Sequence, residues 1–231
     1  MKTAILKADG CIKAETDYAY YLAQALAQQE IGHDVLDLTD ARLPLANYDV
    51  FLLTGGSTPA SSKSAWMQRT IKQVAELCRA AGRNEVFLFG ICLGSQVIAN
   101  AWAGKNLNKA SQNGLEFGFN RVRCLESGNE AVVFQFHYEE VDKAFLQEPD
   151  VVLTHTNRHS HIQGYRIGDN IRAYQFHPEI PPQALTAVAA YNSELLSRYG
   201  MSVEESNLNT SDQESQNETF IFAPLRRFLA G

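Results

Sequence analysis

The chain has 231 residues, a length that fits one α/β domain with a sizeable hydrophobic core better than two small domains. Its formal net charge is −6, and no local run of lysine or arginine offsets it. The charge therefore argues against nonspecific binding to nucleic acid or to an anionic membrane, and a small soluble ligand is the better expectation.

No apolar stretch approaches the roughly 20 residues that are needed to span a bilayer. The apolar start of the chain meets Lys7 and Asp9 too early for a signal peptide, so we expect a cytoplasmic protein. The cysteines stand far apart without a Cys-x-x-Cys pair, at Cys11, Cys78, Cys92 and Cys124. This spacing predicts neither a disulfide framework nor a cysteine zinc site, and it leaves at least one thiol free to act as a nucleophile.

The first half of the chain alternates apolar runs with helical spacing. Strands are predicted at 3–8, 34–38, 48–54 and 86–89, and helices at 16–30 and 64–81. This alternation predicts crossover connections and a parallel sheet with helices on both faces. Ligands bind beyond the C-terminal ends of the strands in such sheets, where Gly55, Gly56 and Cys92 are expected to lie.

The second half is predicted to contain several short strands without long helices, at 116–125, 131–137, 151–154, 162–167 and 171–176. Some of them are expected to be antiparallel, because 128–129 and 168–170 have the composition of hairpin turns. A long amphipathic segment at 183–199 begins after two prolines and predicts a helix.

The composition changes sharply near the end of the chain. Residues 202–219 include five acidic and no basic residues among serines, asparagines and glutamines, which predicts a mobile loop. The apolar residues of 220–230 are expected to dock back on the body of the protein. We predict that 1–231 form one domain with this acidic loop near its end.

A short pattern in the middle of the chain points to a nucleophile. The apolar run 86–89 stops at Gly90, and a helical pattern begins after Gly94, so Cys92 is predicted to lie in a sharp turn between a strand and a helix. Gly-x-Cys-x-Gly is the cysteine counterpart of the Gly-x-Ser-x-Gly nucleophile elbow. A helix N-terminus favours the thiolate, and the N–H of Leu93 would point to where an oxyanion forms. The alternative is a buried cysteine at an ordinary turn.

A second pattern could supply the base that a cysteine nucleophile needs. The strand at 171–176 ends on His177, and Glu179 follows two residues later. Acyl transfer by cysteine requires a group that takes up the thiol proton and returns it to the leaving amine, plus a third group that orients the imidazole. Alone, this His-Pro-Glu stretch would favour a surface turn. Together with Cys92 it favours a catalytic triad.

The two patterns together resemble the class I glutamine amidotransferases. GICLGSQ at 90–96 and QFHPE at 175–179 occur in that order, and weaker similarities are TGG at 54–56, EFGF at 116–119 and QGYRIGDN at 163–170. The resemblance covers about 1–199. It implies a flavodoxin-like three-layer α/β sandwich with a mostly parallel central sheet and a small antiparallel β extension. It also implies release of ammonia from glutamine through a γ-glutamyl thioester, without a cofactor.

The resemblance also assigns roles to single residues. Cys92 would be the nucleophile, His177 the acid and base, and Glu179 the group that orients it. The N–H of Leu93 and an N–H at Gly55 or Gly56 would form the oxyanion hole.

Two further residues would bind the substrate. Gln96 matches the glutamine that binds the substrate amide, with a polar residue on an exposed helix face as the alternative. His137 is similar to the histidine near the α-amino and α-carboxyl groups of the substrate. Similar relatives carry an aspartate two residues after that histidine, whereas this chain has the longer Glu139.

Two weaker signals favour structural roles. His155, His159 and His161 have a spacing that could ligate a metal. The neighbouring asparagine and serine favour a solvated polar loop instead, so we predict no metal. Such a loop could shape the substrate pocket. Tyr18 lies at helical spacing with apolar residues and is predicted to be a core residue.

The leading hypothesis is a cysteine-dependent amidohydrolase that acts on the γ-amide of glutamine or of a γ-glutamyl compound. The first alternative is a γ-glutamyl peptidase with water as the sole acceptor, and the second is a non-catalytic partner or regulatory subunit. The pattern is nearest to the glutaminase portion of GMP synthases and their free-standing relatives. No synthetase segment follows, so any ammonia acceptor is expected to bind a separate synthase subunit.

Overall fold

The computed structural model describes residues 2–8, 17–40, 44–201 and 213–230. The strands are β1 Thr3–Lys7, β2 His33–Asp37, β3 Val50–Leu53, β4 Phe87–Ile91, β5 Asn108–Ala110, β6 Glu116–Cys124, β7 Glu130–His137, β8 Glu139–Val141, β9 Val151–Thr156, β10 Gly164–Ile167 and β11 Ile171–Tyr174. The helices are α1 Tyr18–Gln28, α2 Ala65–Gly82, α3 Leu93–Ala103, α4 Leu185–Tyr191, α5 Ser193–Arg198, α6 Gln213–Asn217 and α7 Ala223–Ala230.

One sheet of nine strands runs through the molecule in the order β2-β1-β3-β4-β11-β10-β9-β6-β7. The pairs from β2 to β11 are parallel, and the pairs from β11 to β7 are antiparallel. A separate antiparallel pair, β5 and β8, completes the described strands. The predicted antiparallel extension therefore continues the parallel sheet through β11, which belongs to both halves.

Helices cover both faces of the parallel half because β1, β3 and β4 are buried on both sides. Phe51 and Leu53 belong to a core that includes buried residues of α2 and α3. Val50 and Leu52, which alternate with them along β3, belong to a second core with α1 and with the segment around Phe220. This alternation of side chains across a strand produces the predicted layers of helix, sheet and helix.

The antiparallel half is covered by the segment that was predicted as one helix at 183–199. The structure divides it into α4 and α5 at Asn192, whose side-chain amide donates a hydrogen bond to the carbonyl of Val188 at 2.8 Å. Side-chain bonds of this kind compete with the helical ladder. Val188 and Leu196 are buried in a third core with Phe117 and Phe134 of the two outer strands.

The predicted acidic loop at 202–219 is only partly described, because residues 202–212 lie outside the described residues. The prediction of a loop is wrong for residues 213–219, where α6 leads into a π-helical turn at Glu218–Phe222. Gln216 is buried and donates to the carbonyl of Val132 at 2.7 Å. Phe220 and Leu225 are buried against the sheet, as predicted for the docking segment. No helix of the described segments is long and apolar enough to cross a membrane.

Candidate active site

Cys92 lies directly after β4 in a strained backbone conformation, with φ 49° and ψ −109°. Such a conformation costs on the order of 1–3 kcal/mol and persists only where its surroundings hold it. The N–H of Cys92 donates to the carbonyl of Tyr174 on β11 at 2.8 Å. Its own carbonyl accepts the Ser95 hydroxyl at 2.7 Å and the N–H of Gln96 at 3.1 Å. The predicted elbow is therefore present and is fixed on both sides.

Gly90 and Gly94 allow the backbones around this turn to approach closely. A Cβ on Gly94 would stand 2.5 Å from the carbonyl oxygen of Leu53, and a Cβ on Gly90 would stand 2.8 Å from the backbone of Gly94. The N–H of Gly94 donates to the carbonyl of Thr54 at 3.1 Å. The start of α3 is thereby held against the end of β3.

The Thr-Gly-Gly turn at 54–56 is held next to the elbow by Thr54. Its hydroxyl accepts the N–H of Ala8 at 3.1 Å and donates to the carbonyl of Gly55 at 3.0 Å. A Cβ on Gly55 would stand 2.6 Å from Cε1 of His177 and 3.5 Å from Cβ of Cys92. Only glycine therefore fits between the two side chains.

Three backbone N–H groups are the predicted candidates for an oxyanion hole. Among the described residues, the N–H groups of Gly55, Gly56 and Leu93 have no hydrogen-bond partner. They belong to the two turns that flank Cys92, so they are available to an oxyanion at this position.

His177 reaches Cys92 because β11 pairs with β4, so residues that follow the two strands emerge side by side. The N–H of His177 donates to the carbonyl of Phe134 at 2.8 Å. Nδ1 lies 2.9 Å from Oε1 of Glu179, and both side chains are at most 2 % exposed. Nε2, the other ring nitrogen, is buried and has no hydrogen-bond partner among the described residues. It is the nitrogen left to exchange a proton with a thiol or a substrate.

The charges around His177 favour its protonated form. Burial by itself lowers the pKa of His177, but the negative charge of Glu179, the interactions with the Cys92 sulfur and the hydrogen bond to Glu179 outweigh burial and raise the pKa to about 10. This electrostatic arrangement can stabilise a thiolate and imidazolium pair. The Cys92 sulfur also lies 3.7 Å from the carbonyl oxygen of Phe136, to which the protonated thiol can donate.

Tyr18 contributes to the site through its ring. Its ring stacks on the imidazole of His177, with centroids 4.6 Å apart and planes 21° from parallel. The sequence indicated only a core residue, because helical spacing does not show which ring faces a strand end across the fold. A cavity of about 100 Å³ lies beside the pair and is lined by both Tyr18 and Cys92.

Gln96 and His137 lie on one wall of this cavity and share a contact. The side-chain amide of Gln96 donates to the carbonyl of Glu139 at 3.0 Å, and Nδ1 of His137 lies 3.1 Å from the same oxygen. The amide of Gln96 also donates to the side chain of Gln175 at 3.0 Å. Gln96 is thus buried on the inner face of α3, so the alternative of an exposed helix face is wrong.

Behind His137 lies a buried carboxylate that the sequence indicated only through the weak EFGF similarity. Nε2 of His137 is 3.0 Å from Glu116, which is its cross-strand neighbour on β6. Glu116 also accepts hydrogen bonds from the side chains of Asn157 at 2.6 Å and Gln163 at 2.9 Å. Both nitrogens of His137 therefore face oxygen acceptors, which fix the orientation of the ring.

Glu139 also lines the cavity. Ser61, in the turn before α2, donates its hydroxyl to the carboxylate of Glu139 at 2.5 Å. No sequence signal identified Ser61, because its contact with Glu139 joins residues 78 positions apart. The longer glutamate is thus held by a partner from the parallel half of the sheet.

The histidines at 155–161 do not form one solvated loop. His155 lies at the end of β9 among the rings of Tyr174, Phe176 and Phe220, where burial lowers its pKa to about 4. His159 contacts the edge of the His137 ring, whereas His161 is exposed. Among the described residues, no group of three or more His, Cys, Asp or Glu side chains could hold a metal ion.

The sequence model of the family "Glutamine amidotransferase class-I" matches residues 11–192. This chain belongs to the class-I glutamine amidotransferase family. Members of this family act on the amide of glutamine, by hydrolysis or by transfer. A comparison with curated proteins found no match.

Solved amidotransferase structures confirm the predicted fold class. A glutamine amidotransferase from Thermotoga maritima has a TM-score of 0.73 and 19% identity, over 99% of this chain and 96% of its own. A putative GMP synthase subunit from Thermoplasma acidophilum has a TM-score of 0.60 and 18% identity, over 85% of this chain and 98% of its own. The glutaminase domain of Trypanosoma brucei CTPS, with bound acivicin, has a TM-score of 0.58 and 14% identity, over 92% of this chain and 98% of its own.

Proposed function

We propose that the protein cleaves the γ-amide of glutamine or of a γ-glutamyl compound through a γ-glutamyl thioester on Cys92, with His177 and Glu179 completing a catalytic triad. The observation that carries this proposal is the position of His177. Its Nδ1 is bound to Glu179 at 2.9 Å. A Cβ added to Gly55 would stand 2.6 Å from the His177 ring and 3.5 Å from Cβ of Cys92, so both side chains lie next to the same glycine. A non-catalytic subunit would not require this combination of thiol, imidazole and carboxylate.

In the proposed reaction, the proton of the Cys92 thiol is transferred to Nε2 of His177 before the substrate reacts, and the thiolate sulfur attacks the γ-carbonyl carbon of the substrate. The N–H groups of Leu93 and of Gly55 or Gly56 stabilise the oxyanion, and a donor of this kind typically contributes about 3 kcal/mol to the transition state. The imidazolium then gives its proton to the amide nitrogen as the C–N bond breaks. Water, deprotonated by His177, hydrolyses the thioester and releases glutamate.

The polar wall of the cavity is proposed to bind the glutamyl group. Gln96 and His137 face the cavity beside Cys92, and the carboxylate of Glu139 is suited to the α-amino group of the substrate. The hydroxyl of Ser61 positions that carboxylate from behind. This arrangement supports the recognition of an amino-acid head group despite the change from aspartate to glutamate.

The test is covalent labelling combined with turnover. We expect a diazoketone analogue of glutamine to add one label per chain at Cys92, and a peptide map to locate it. Cys92→Ala should lose the label and all release of ammonia from glutamine or amine from a γ-glutamyl amide. Cys124→Ser changes another free and partly exposed thiol and should keep both. Labelling at Cys124 alone, or turnover by Cys92→Ala, would refute the nucleophile assignment.

A second arrangement is favoured by the fold shared with the putative GMP synthase subunit from Thermoplasma acidophilum. In it, a separate synthase protein binds this chain and takes up the ammonia. It predicts that adding such a partner raises glutamine hydrolysis, whereas the hydrolase arrangement predicts full turnover by the purified chain alone.

A further inference from the structure

The two walls of the cavity at Cys92 differ in chemistry. We infer that the preferred substrate is a γ-glutamyl amide whose leaving amine carries an apolar alkyl or aromatic substituent, rather than glutamine itself. This inference rests on the proposed function and names the substrate class of the same site.

The polar wall accounts for only one end of such a substrate. Gln96 and His137 both contact the backbone carbonyl of Glu139, and all three residues line the cavity. These groups match an α-amino acid, which both glutamine and every γ-glutamyl amide possess. The polar wall therefore does not distinguish among these substrates.

The opposite wall is mostly apolar. It is formed by Tyr18 of α1 and by Val188 and Leu195 of the broken helix pair. Tyr191 and Asn192 lie beside them, and the amide of Asn192 is bound to the carbonyl of Val188. Tyr18, Val188 and Leu195 belong to one hydrophobic cluster, in which Val188 is a buried member and Tyr18 and Leu195 are partly buried. Tyr191 is 49 % exposed, which places it at the mouth of the cavity.

The chemistry of the reaction puts the leaving amine next to the apolar wall. The imidazole of His177 must give its proton to the leaving nitrogen, so that nitrogen lies within hydrogen-bond distance of the ring in the transition state. Tyr18 is stacked on this ring at 4.6 Å and continues into the apolar wall. A substituent on the nitrogen would thus extend along Tyr18 towards Val188 and Leu195.

Free glutamine leaves this wall without a partner. Its amide nitrogen carries only hydrogens, so the exposed parts of Tyr18, Tyr191 and Leu195 would stay in contact with water. An alkyl or aromatic group would remove that surface from water, and each buried methylene group is expected to raise kcat/KM by about fourfold. The products would be glutamate and the free apolar amine, with one water consumed and no other reactant.

The experiment measures kcat/KM of the purified chain for γ-glutamyl methylamide, n-butylamide and phenethylamide, with glutamine alongside. The methyl and n-butyl amines have similar basicity, so this pair reports the effect of apolar size. We expect the n-butylamide to exceed the methylamide at least tenfold, and the phenethylamide to exceed glutamine by more. If kcat/KM stayed the same or fell from the methylamide to the n-butylamide and phenethylamide while glutamine was turned over, the inference would be wrong and the proposed function would still be supported.

A pair of variants tests which surface is responsible. Leu195→Gln places an amide in the apolar wall at a half-buried position that tolerates a polar side chain, and it should lower the n-butyl to methyl ratio at least threefold. Leu125→Gln changes a 44 % exposed leucine outside the cavity and should leave the ratio unchanged. An unchanged ratio in Leu195→Gln would refute the role of this wall.

If no substrate were turned over and the diazoketone failed to label Cys92, both the proposed function and this inference would be refuted.

Discussion

The parallel and antiparallel halves of the sheet hold their functional groups in different ways. In the parallel half, backbone groups hold the site in place. Cys92 has a strained backbone conformation with φ 49°. The N–H of Gly94, at the start of α3, donates to the carbonyl of Thr54, which follows β3, at 3.1 Å. In the antiparallel half, side chains hold one another, as in the contacts of Glu116 with His137 and Gln163.

This difference follows from what each half is proposed to do. An attacking sulfur and an oxyanion hole need fixed positions, and backbone groups lose little conformational freedom when the fold is already formed. Recognition of an amino-acid head group needs formal charges of the right sign, which side chains supply. His177 follows β11, the strand shared by the two halves, and it combines a backbone bond to Phe134 with a side-chain bond to Glu179.

The largest effect is expected where the two halves meet. Glu179→Gln removes the negative charge that raises the pKa of His177 and leaves an amide that binds the ring in the wrong orientation. We expect kcat to fall by about 10²–10⁴-fold. In the native protein we expect activity to be lost at alkaline pH, near the raised pKa of about 10, as the imidazolium of His177 loses its proton. In Glu179→Gln, burial lowers the pKa of His177 with less opposition, so this loss should move to lower pH. The pH dependence of kcat/KM tests this, and an unchanged alkaline limb would contradict it.

The second effect concerns the backbone of the parallel half. Gly94→Ala places a Cβ 2.5 Å from the carbonyl of Leu53, and we expect the free energy of unfolding to fall by about 1–3 kcal/mol. Gly82→Ala, at the end of α2, meets no atom within 4 Å and should instead raise it by about 0.4–1 kcal/mol. Urea unfolding of the two variants measures the contrast, and equal stabilities would show that the close approach at Gly94 does not matter.

The third effect tests the side-chain network of the antiparallel half. Glu116→Gln replaces one of the two acceptor oxygens with an N–H₂, which then faces the donor of either Asn157 or Gln163, and an unsatisfied buried group costs about 1–3 kcal/mol. Since Glu116 acts through His137, we expect KM to rise roughly tenfold with a much smaller change in kcat. Glu130→Gln, an exposed residue of the same hairpin, is the control. A fall in kcat at constant KM would place Glu116 in the chemical step instead.

The smallest effect is expected at the ring that joins the triad to the apolar wall. Tyr18→Leu removes the aromatic stacking on His177, and aromatic pairs contribute about 0.5–1.5 kcal/mol. We expect kcat to fall by about two- to tenfold, with Tyr18→Phe retaining more activity than Tyr18→Leu. Steady-state kinetics with a γ-glutamyl amide measure this order, and the reverse order would argue against stacking.

Much of the fold could be predicted from local patterns. The strands near 3–8, 48–54 and 86–89 appear as β1, β3 and β4, because continuous apolar runs between turn residues are typical of buried parallel strands. The predicted hairpin turn at 168–170 joins β10 and β11. Predictions failed where tertiary contacts outweighed composition: Gln216 and Phe220 anchor the helical end of a segment that was predicted to be loop.

The sequence by itself determined the candidate chemistry, because a nucleophile elbow and a His-Pro-Glu strand end are encoded within a few neighbouring residues. Only the tertiary structure decided what surrounds them. Ser61 contacts Glu139, which is 78 positions away in the chain. Tyr18 contacts His177, which is 159 positions away. The pairing of β4 with β11 and the packing of α1, α4 and α5 create these contacts. Burial and side-chain packing act between residues that are close in space, and a local pattern carries no record of which distant side chain will be near.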